Sequence, residues 1–373
     1  HRDLPSFPTR RSSDLAIGMR GGFTTAVRPI TISNANQYTK HPADAALVLN
    51  TPFSLIRTIG TNVFVVPNYF DSQDKMESIY SPIHIPADTL QMSKKNVVVL
   101  IVESFGREYI GALNRSLENG TYKGYTPCVD SLIAHSTTFR YSYCNGRKSI
   151  DGMPSILSSI PMFVEPFILT PSSMNDFTGL AGILEQEGYQ TAFFHGAQNG
   201  SMGFEAFAKK TGFQRYYGRT EYEAAHGTND FDGTWAIWDE PFFQYYAEEM
   251  SKMQHPFMTA IFSASSHHPF AIPQQYKSQF PEEHLPIQKC IRYTDMALLH
   301  FFASARKQSW FKNTIFVITS DHTNMTRLPE YKTELGGFCS PVIFYDPSGD
   351  MGSGFVDAIA QQTDIMPTIL EHL

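Results

Sequence analysis

Long apolar segments and an excess of positive charge are both missing from this 373-residue chain. It contains no run of the roughly 18 apolar residues that a membrane-spanning helix needs, so we expect no span within the sequence as it stands. Its 29 Lys and Arg residues are outnumbered by 36 Asp and Glu, which gives a formal net charge of −7. General nucleic-acid binders carry the opposite balance, so we expect no nucleic-acid partner.

Cysteine is also scarce, with four residues at positions 128, 144, 290 and 339. They form no CxxC pair and show no zinc-ribbon spacing. Isolated cysteines ordinarily serve as small, buried apolar side chains, and this is the prediction here. A disulfide between Cys128 and Cys144 is the alternative if the compartment is oxidising.

The chain does contain enough apolar residues for a large core, since 42% are hydrophobic and 13% are aromatic. Its length fits one large α/β domain with an appendage, or two ordinary domains. Residues 1–15 resemble translated sequencing-adapter text and are left out of the fold prediction. Residues 16–90 are interpreted as a leader or linker, with one or two short helices near 43–57, that packs on or leads into a domain at 91–373.

Both ends are expected to be incomplete. The sequence stops at Leu373 within a predicted helix, QTDIMPTILEHL, which indicates a domain truncated at its C-terminus. A membrane segment upstream of residue 16 would be missing in the same way, and membrane association would depend on that segment.

Two buried-strand patterns end on metal-binding side chains. Asn96–Val102 (NVVVLIV) is followed by Glu103, and Thr314–Ser320 (TIFVITS) is followed by Asp321 and His322. Unbroken apolar runs are typical of parallel strands covered on both faces, and the chemistry of open α/β sheets collects at the carboxyl ends of such strands. Carboxylate and imidazole groups are ligands for divalent metals. The sequence therefore predicts a metalloenzyme with these three side chains at one edge of a sheet.

Strand-like and helix-like stretches alternate from Asn96 onward. This predicts an α/β fold with a doubly wound, mostly parallel sheet and helices on both faces. The predicted strands are 97–102, 138–142, 190–195, 257–262, 314–320 and 341–345. The predicted helices are 126–135, 151–159, 179–187, 241–253 and 288–308.

A hydroxyl flanked by cations offers a nucleophile. In NGRKSID, Arg147 and Lys148 precede Ser149, which opens a predicted helix. The two cations would attract an anionic substrate, and the helix N-terminus would supply N–H donors to phosphate oxygens. The alternative is that Ser149 is only an N-cap. For Glu103 the alternative is an ion pair with Arg107 or a helix cap.

Three histidines follow predicted strands. His195 follows TAFF, and His267 and His268 follow FMTAIF in the segment SSHHPF. Histidine at a strand end can donate to phosphate oxygens or protonate a leaving group, although a structural role is commoner. His267 is preferred over His268, because His268 precedes Pro269.

The segment FDGTWAIWDEPFFQYY is rich in aromatic residues. Helical spacing predicts that they line the core, and the alternative is an apolar wall for the lipid or glycerol part of a substrate. These residues are Trp235, Trp238, Phe242, Phe243 and Tyr245.

The motifs VES, GRKS, FFHG, SSHHPF and SDHT, in this order, resemble those of the lipoteichoic acid synthase (LTA synthase) group of sulfatase-like proteins in the alkaline phosphatase superfamily. The resemblance covers about residues 96–373, with similar text in the leader (RGGFTTAVRPIT and VLNTPFSLIRT). It implies one bound divalent ion, Mn²⁺ first, with Zn²⁺ or Mg²⁺ as alternatives. The metal ligands that it implies are Glu103, Ser149, Asp321 and His322.

Two departures from the family pattern bear on the reaction. Serine stands at position 149, where the synthases carry a threonine nucleophile with the same hydroxyl chemistry. The C/S-x-P-x-R motif of formylglycine sulfatases is absent, since the chain reads SIDGM from Ser149. The name sulfatase would therefore describe the fold and not the reaction.

Residues and resemblance together predict a metal-dependent phosphotransferase on the extracytoplasmic (periplasmic) side of the cell membrane. It would move a phosphoglycerol- or phosphoethanolamine-type head group from a phospholipid to a hydroxyl of a glycan or lipid acceptor, through a phospho-serine intermediate. The alternatives are a phosphodiesterase or phosphomonoesterase that uses water, and a non-catalytic binding module. The predicted catalytic residues are Ser149, His267 and Arg147, and the predicted substrate-binding residues are His195, His268 and Lys148.

Overall fold

An eight-stranded sheet forms the centre of the protein in the computed structural model, which describes residues 31–39, 44–59, 68–81, 83 and 92–373. The strands are β1 (Asn96–Val102), β2 (Ser136–Tyr143), β3 (Gln190–His195), β4 (Arg215–Tyr217), β5 (Phe257–Phe262), β6 (Thr314–Ser320), β7 (Val342–Tyr345) and β8 (Gly354–Gln361). Their order in the sheet is β4-β3-β5-β1-β6-β7-β2-β8. Among these described strands, β7 alone runs antiparallel to its neighbours.

The apolar residues of β1 show why the sheet is covered on both faces. β1 lies between β5 and β6, and all seven of its residues are buried. Alternate side chains of a strand point to opposite faces, so they enter different apolar clusters. Val98, Leu100 and Val102 pack on one face, and Val97, Val99 and Ile101 pack on the other.

Helices from the domain cover both faces of the sheet. The described α-helices are α1 (Ala45–Val48), α2 (Thr51–Thr58) and α3 (Gln73–Ile79) in the predicted leader, and α4 (Pro127–Ile133), α5 (Ser149–Ser158), α6 (Leu180–Gln186), α7 (Phe204–Lys210), α8 (Arg219–His226), α9 (Asp239–Met250), α10 (Ile287–Ala305) and α11 (Ile365–His372) in the domain. Apolar residues of α4, α9 and α10 pack with Leu100, and those of α5, α6, α7 and α11 pack with Val99. The predicted doubly wound, mostly parallel α/β sheet is therefore confirmed. Within the described part of the chain, no helix has the length and hydropathy that a bilayer crossing requires.

The strands that the sequence predicts best are the buried ones. β3, β5 and β6 have the predicted bounds, and β1 and β7 differ by one residue at one end. The sequence does not predict β4 or β8. β4 has only three residues, and β8 is exposed at seven of its eight residues, so neither carries a buried-strand pattern.

All four cysteines are free, so the alternative of a Cys128–Cys144 disulfide is wrong. Cys128 packs within α4 in an apolar cluster, whereas Cys144 follows β2 and its N–H donates to the Phe338 carbonyl at 2.8 Å. Burial raises the pKa of both thiols to about 12, so they are protonated at neutral pH. Cys339 is half-buried, and the other three are buried as predicted.

Part of the predicted leader contacts the domain. Ile32–Gln37 forms a short 3-10 helix beside α7, where the Lys209 ammonium donates to the Gln37 carbonyl at 3.3 Å. Neither α2 nor α3 buries any residue against the described structure. Residues 1–15 and all but the last residue of the motif at 20–31 lie outside the described residues.

Candidate active site

Two acidic side chains meet where adjacent strands end. β1 and β6 pair with Val102 opposite Ser320, so the next residues, Glu103 and Asp321, leave the sheet side by side. Both are buried, with 3% and 0% of their surface exposed. His322 follows, and its Nε2 lies 3.2 Å from Asp321 Oδ2 and 3.6 Å from Glu103 Oε1. The three side chains thus share one edge of the sheet, as the strand patterns predict.

Ser149 joins this group from the first residue of α5. Its Oγ donates to Glu103 Oε2 at 3.0 Å and lies 3.3 Å from His322 Nε2. Lys148 occupies the N-cap position, so the Ser149 hydroxyl faces the acidic pair and does not cap the helix. The interpretation of Ser149 as an N-cap is therefore wrong.

The structural alternative for Glu103 is also wrong. Arg107 Nη1 donates to the Phe139 carbonyl at 3.0 Å and to Ser142 Oγ at 3.3 Å. Among the described residues, the ion-pair partner of Glu103 is His322, whose Nε2 lies 3.6 Å from Glu103 Oε1. Glu103 is therefore held in the site by the residues at the strand ends, and not by an ion pair with Arg107.

Ser104 ties the two carboxylates together. Its φ of 56° is a left-handed conformation that non-glycine residues seldom adopt. This backbone directs the Ser104 N–H to Asp321 Oδ1 at 2.7 Å, while the hydroxyl donates to Glu103 Oε1 at 2.6 Å. Asn324 Nδ2 donates to the Ser104 hydroxyl at 3.0 Å. The strained residue therefore orients both acids.

The donor set fits a divalent metal ion. One ligand atom from each of Glu103, Asp321 and His322 lies within 4.8 Å of the others. Asp321 Oδ2 is buried and accepts no hydrogen bond from the described residues, and the one basic group beside it is His322 Nε2 at 3.2 Å; a buried carboxylate oxygen in this position is stabilised by a bound cation. His322 Nδ1 donates to the Thr323 carbonyl at 2.6 Å, so the lone pair of Nε2 is left for a ligand bond. Carboxylates with an imidazole suit Mn²⁺, Zn²⁺ or Mg²⁺.

Burial and mutual repulsion make the two carboxylates unequal. Burial raises the pKa of Glu103, but the positive charges of His322 and His267 outweigh it, and the pKa is lowered overall. Burial and the Glu103 charge raise the pKa of Asp321 to about 8. Burial lowers the pKa of His322, and the carboxylates of Asp321 and Glu103 raise it by more. These pKa shifts show that the cluster of Glu103, Asp321 and His322 favours additional positive charge, which a bound metal ion would supply.

Gly152 allows α5 to approach Asp321. A Cβ there would lie 2.8 Å from both the Cα and the carbonyl oxygen of Asp321. We expect Gly152→Ala to shift Ser149 away from Glu103, reduce phosphodiester turnover strongly and lower the free energy of unfolding by about 1–3 kcal/mol. The matched control is Gly106→Ala, whose Cβ would make only ordinary contacts at 3.6 Å. Denaturant melts and turnover check this, and equal behaviour of the two variants would contradict it.

His195 lies at the end of β3 with one ring nitrogen unpartnered. Its Nδ1 donates to the Phe262 carbonyl on the neighbouring β5 at 3.0 Å. Its Nε2 is buried and has no hydrogen-bond partner in the described structure. Burial lowers the pKa of His195, so the ring is neutral at pH 7 and Nε2 is an acceptor.

His267 and His268 have different surroundings. The His267 charge contributes to the lowered pKa of Glu103, whereas His268 is exposed and precedes a cis peptide bond to Pro269. Trp235 packs against the His267 ring with centroids 4.5 Å apart. Trp235 Nε1 and His267 Nδ1 both donate to the His268 carbonyl, at 2.6 and 2.9 Å. This arrangement leaves His267 Nε2 available for chemistry.

The two predicted cations lie at the rim of the site. Both Arg147 and Lys148 have exposed side chains, and their backbone N–H groups donate to Asp151 Oδ2 at 3.2 Å. The Arg147 guanidinium packs over the Phe338 ring at 5.5 Å from its centroid. These side chains neighbour Ser149 in sequence but do not belong to the buried group.

The aromatic segment divides into two parts. Trp235 and Trp238 are half-buried in the loop before α9, and the contact of Trp235 with His267 has no signal in the sequence. The core interpretation is confirmed for the residues of α9, which are Phe242, Phe243 and Tyr245.

The chain matches known proteins in sequence. The family described as Sulfatase matches residues 95–373. Phosphoglycerol transferase I from Citrobacter koseri is 25% identical over 254 residues, which cover 64% of this chain and 32% of that protein. Phosphoglycerol transferase I from Escherichia fergusonii matches with the same identity and coverage. The chain therefore spans about a third of the length of these curated relatives.

Solved structures share the fold. A protein of the alkaline phosphatase superfamily from Vibrio parahaemolyticus has a TM-score of 0.65 and 28% identity, over 75% of this chain and 66% of that one. The lipoteichoic acid synthase LtaP from Listeria monocytogenes has a TM-score of 0.63 and 21% identity, over 75% and 72%.

The sheet, its helices and the strand-end group thus define an α/β protein of the alkaline phosphatase type. Within that class, the chain belongs to the sulfatase family. The predicted family and the prediction of an enzyme of this superfamily, a transferase or a hydrolase, are confirmed.

Proposed function

We propose that the protein is a metal-dependent phosphotransferase that moves a phosphoglycerol- or phosphoethanolamine-type head group from a phospholipid to an acceptor hydroxyl. The observation that carries this proposal is the Ser149 hydroxyl, 3.0 Å from Glu103 Oε2 and 3.3 Å from His322 Nε2 at the start of a helix. A hydroxyl placed there suits attack on a phosphate ester. The relatives named phosphoglycerol transferase I support phosphoglycerol as the group transferred.

A divalent ion is part of the proposal. Two observations support it: Asp321 Oδ2 accepts no hydrogen bond from the described residues, and burial together with the Glu103 charge raises the pKa of Asp321 to about 8. Mn²⁺ is proposed first, with Zn²⁺ or Mg²⁺ as alternatives. When bound, the ion would lower the pKa of the Ser149 hydroxyl and offset charge on the phosphoryl oxygens. The residues that would hold it are Glu103, Asp321, His322 and Ser149.

Each half of the proposed reaction makes one phosphorus–oxygen bond and breaks one. Ser149 Oγ gives its proton to Glu103 Oε2, to which it already donates, and bonds to phosphorus. The bond to the diacylglycerol oxygen breaks as the doubly protonated His267 ring gives that oxygen a proton from Nε2. An acceptor hydroxyl then bonds to phosphorus and returns a proton to His267 Nε2, and Ser149 leaves phosphorus and takes its proton back from Glu103. His267 suits this role because its Nδ1 is already used by the His268 carbonyl.

Other residues would recognise the donor. The neutral His195 Nε2 is an acceptor, so it fits a hydroxyl or ammonium of the head group. Arg147, Lys148 and His268 are exposed beside the site, where the two cations would attract an anionic lipid surface. A part for Arg147 in the chemical step stays a prediction.

The proposed donor is a membrane lipid, so we place the reaction at a membrane surface on the extracytoplasmic side, with a glycan or lipid as acceptor. Water in place of that acceptor would make the same site a phosphodiesterase or phosphomonoesterase. A non-catalytic binding role fits poorly, because a group of three potential metal ligands and an oriented hydroxyl are both present.

Product analysis tests this function. We expect the full chain with Mn²⁺ to release diacylglycerol from micellar phosphatidylglycerol or phosphatidylethanolamine, and to attach the head group to an added oligosaccharide or glycolipid. Mass spectrometry of both products is the measurement. Free glycerol phosphate or phosphoethanolamine at a rate that no acceptor changes would make the protein a hydrolase. No diacylglycerol from either lipid would contradict the proposal.

A further inference from the structure

A cavity of about 390 Å³ lies beside the His267 loop, outside the strand-end group. Its volume falls in the range of about 300–1,000 Å³ that is usual for small-molecule sites. Six of its lining residues are polar or charged, and these are Asn229, Asp230, Glu240, Gln274, Gln275 and Lys277. We call it the loop cavity.

The loop cavity and His267 are built from the same two loops. One loop, 227–238, joins α8 to α9 and supplies Trp238 to the cavity and Trp235 to the His267 ring. The other, 263–286, follows β5 and carries both His267 and the cavity wall at Gln274 and Gln275. The two loops that hold the proposed acid–base residue and its Trp235 contact therefore also form much of the cavity wall, although His267 itself does not line it.

The chemistry of the lining matches a neutral polyol. Trp238 is half-buried, and its ring packs edge-to-face with Tyr293 at a centroid distance of 6.2 Å. An aromatic ring of this kind can pack against the apolar C–H groups of a sugar ring. Side-chain amides both donate and accept hydrogen bonds, as sugar hydroxyls do. Glu240 is held rigidly, because its two oxygens accept from Tyr276 at 2.5 Å and His300 at 2.9 Å.

The charge of the lining argues against the anionic donor. Among the described residues that line the cavity, Asp230 and Glu240 carry negative charge and Lys277 alone carries a positive charge. A phosphate group would be repelled there. The ligand of the loop cavity therefore differs from the ligand of the Ser149 site.

We propose that the loop cavity is the acceptor site and binds a neutral oligosaccharide, one hydroxyl of which reaches toward His267 Nε2. The assignment as acceptor site rests on the proposed phosphotransferase function. Trp238 packs on a sugar ring, and Gln275 and Glu240 hydrogen-bond to its hydroxyls.

Binding without turnover is the first test. Cellotetraose, maltotetraose and chitotetraose are titrated into the full chain by calorimetry, with phosphoethanolamine as an anionic comparison. We expect at least one tetrasaccharide to bind, and Trp238→Ala to weaken it about tenfold. Gln275→Ala, at an exposed position that is safe for folding, should weaken it about threefold to tenfold. Gln279→Ala is the matched control, because Gln279 is exposed on the same loop but does not line this cavity.

The outcomes separate this inference from the proposed function. No binding of any tetrasaccharide, binding unchanged in both variants, or phosphoethanolamine bound at Trp238 instead would overturn it. In the lipid assay, we expect the ratio of transfer to hydrolysis to fall in Trp238→Ala and to stay unchanged in Gln279→Ala. Diacylglycerol release with an unaltered ratio in Trp238→Ala would overturn the acceptor site and leave the phosphotransferase intact. Sugar binding with no diacylglycerol release would overturn the phosphotransferase and the acceptor assignment together.

Discussion

Ser149→Ala is expected to lower kcat for phosphodiester cleavage by about 10,000-fold or more, because the oxygen that bonds to phosphorus is removed. The fold should survive, since alanine is a good helix former at the first residue of α5. Ser149 is 7% exposed, and the variant would lose the hydrogen bonds of its hydroxyl with Glu103 and His322. Diacylglycerol release and a thermal melt on the same preparation are the measurements.

Two further variants sharpen this experiment. Ser158→Ala is the matched control, because Ser158 lies in the same helix and its buried hydroxyl has no hydrogen-bond partner in the described structure. It should keep wild-type turnover. Ser149→Thr keeps the hydroxyl and should keep measurable turnover. A glycerophosphate adduct on Ser149 by mass spectrometry would identify the intermediate, whereas wild-type turnover in Ser149→Ala would remove Ser149 from the mechanism.

The residues at the centre of the site could be predicted from the sequence, because the strands of the sheet determine where they lie. Glu103 and Asp321 each follow an unbroken apolar strand, and parallel strands of one sheet end at one edge. The pairing of β1 with β6 then places the two acids side by side. His195 ends β3 and His267 follows β5, and these are the next strands along the same sheet.

The other contacts of the site could not be predicted, because they do not follow from any periodic pattern in the sequence. Ser104 connects the two carboxylates only because its backbone turns left-handed after β1, and serine gives no signal for that conformation. Asn324 and Trp235 reach the site from loops, where the side-chain direction follows from turns and not from a repeat. The role predicted for Arg147 rests on its closeness to Ser149 in sequence; its guanidinium packs on Phe338, and a part in the chemical step stays a prediction.

The other large effect concerns the metal, and Asp321→Asn is expected to change stability in opposite directions with and without it. Without metal, burial and Glu103 hold the pKa of Asp321 at about 8, above its ordinary value. A raised carboxyl pKa means that the folded state binds the extra proton, so stability falls as the pH rises from about 4 toward about 8. Asparagine carries no charge, so metal-free Asp321→Asn should melt above the metal-free wild type at pH 8.

With metal the order should reverse. An ion that binds only the folded state stabilises it by about 4 kcal/mol at a concentration of 1,000 times its Kd. Asp321→Asn loses a charged ligand, so it should bind Mn²⁺ far more weakly and melt below the loaded wild type. The control is Glu108→Gln, because Glu108 is also buried with an unpartnered Oε2 but accepts from the backbone of Arg327 and Leu328.

Metal content by mass spectrometry and melts with and without EDTA measure both halves of this prediction. We expect one equivalent of metal in the wild type and in Glu108→Gln, and much less in Asp321→Asn. If EDTA leaves the wild-type melt unchanged, or if Asp321→Asn melts in the same order in both conditions, the strand-end group is not a metal site. The reversal is informative for the following reason. If the Asp321 carboxylate had only a structural role, its replacement by asparagine would change stability in the same direction with and without metal.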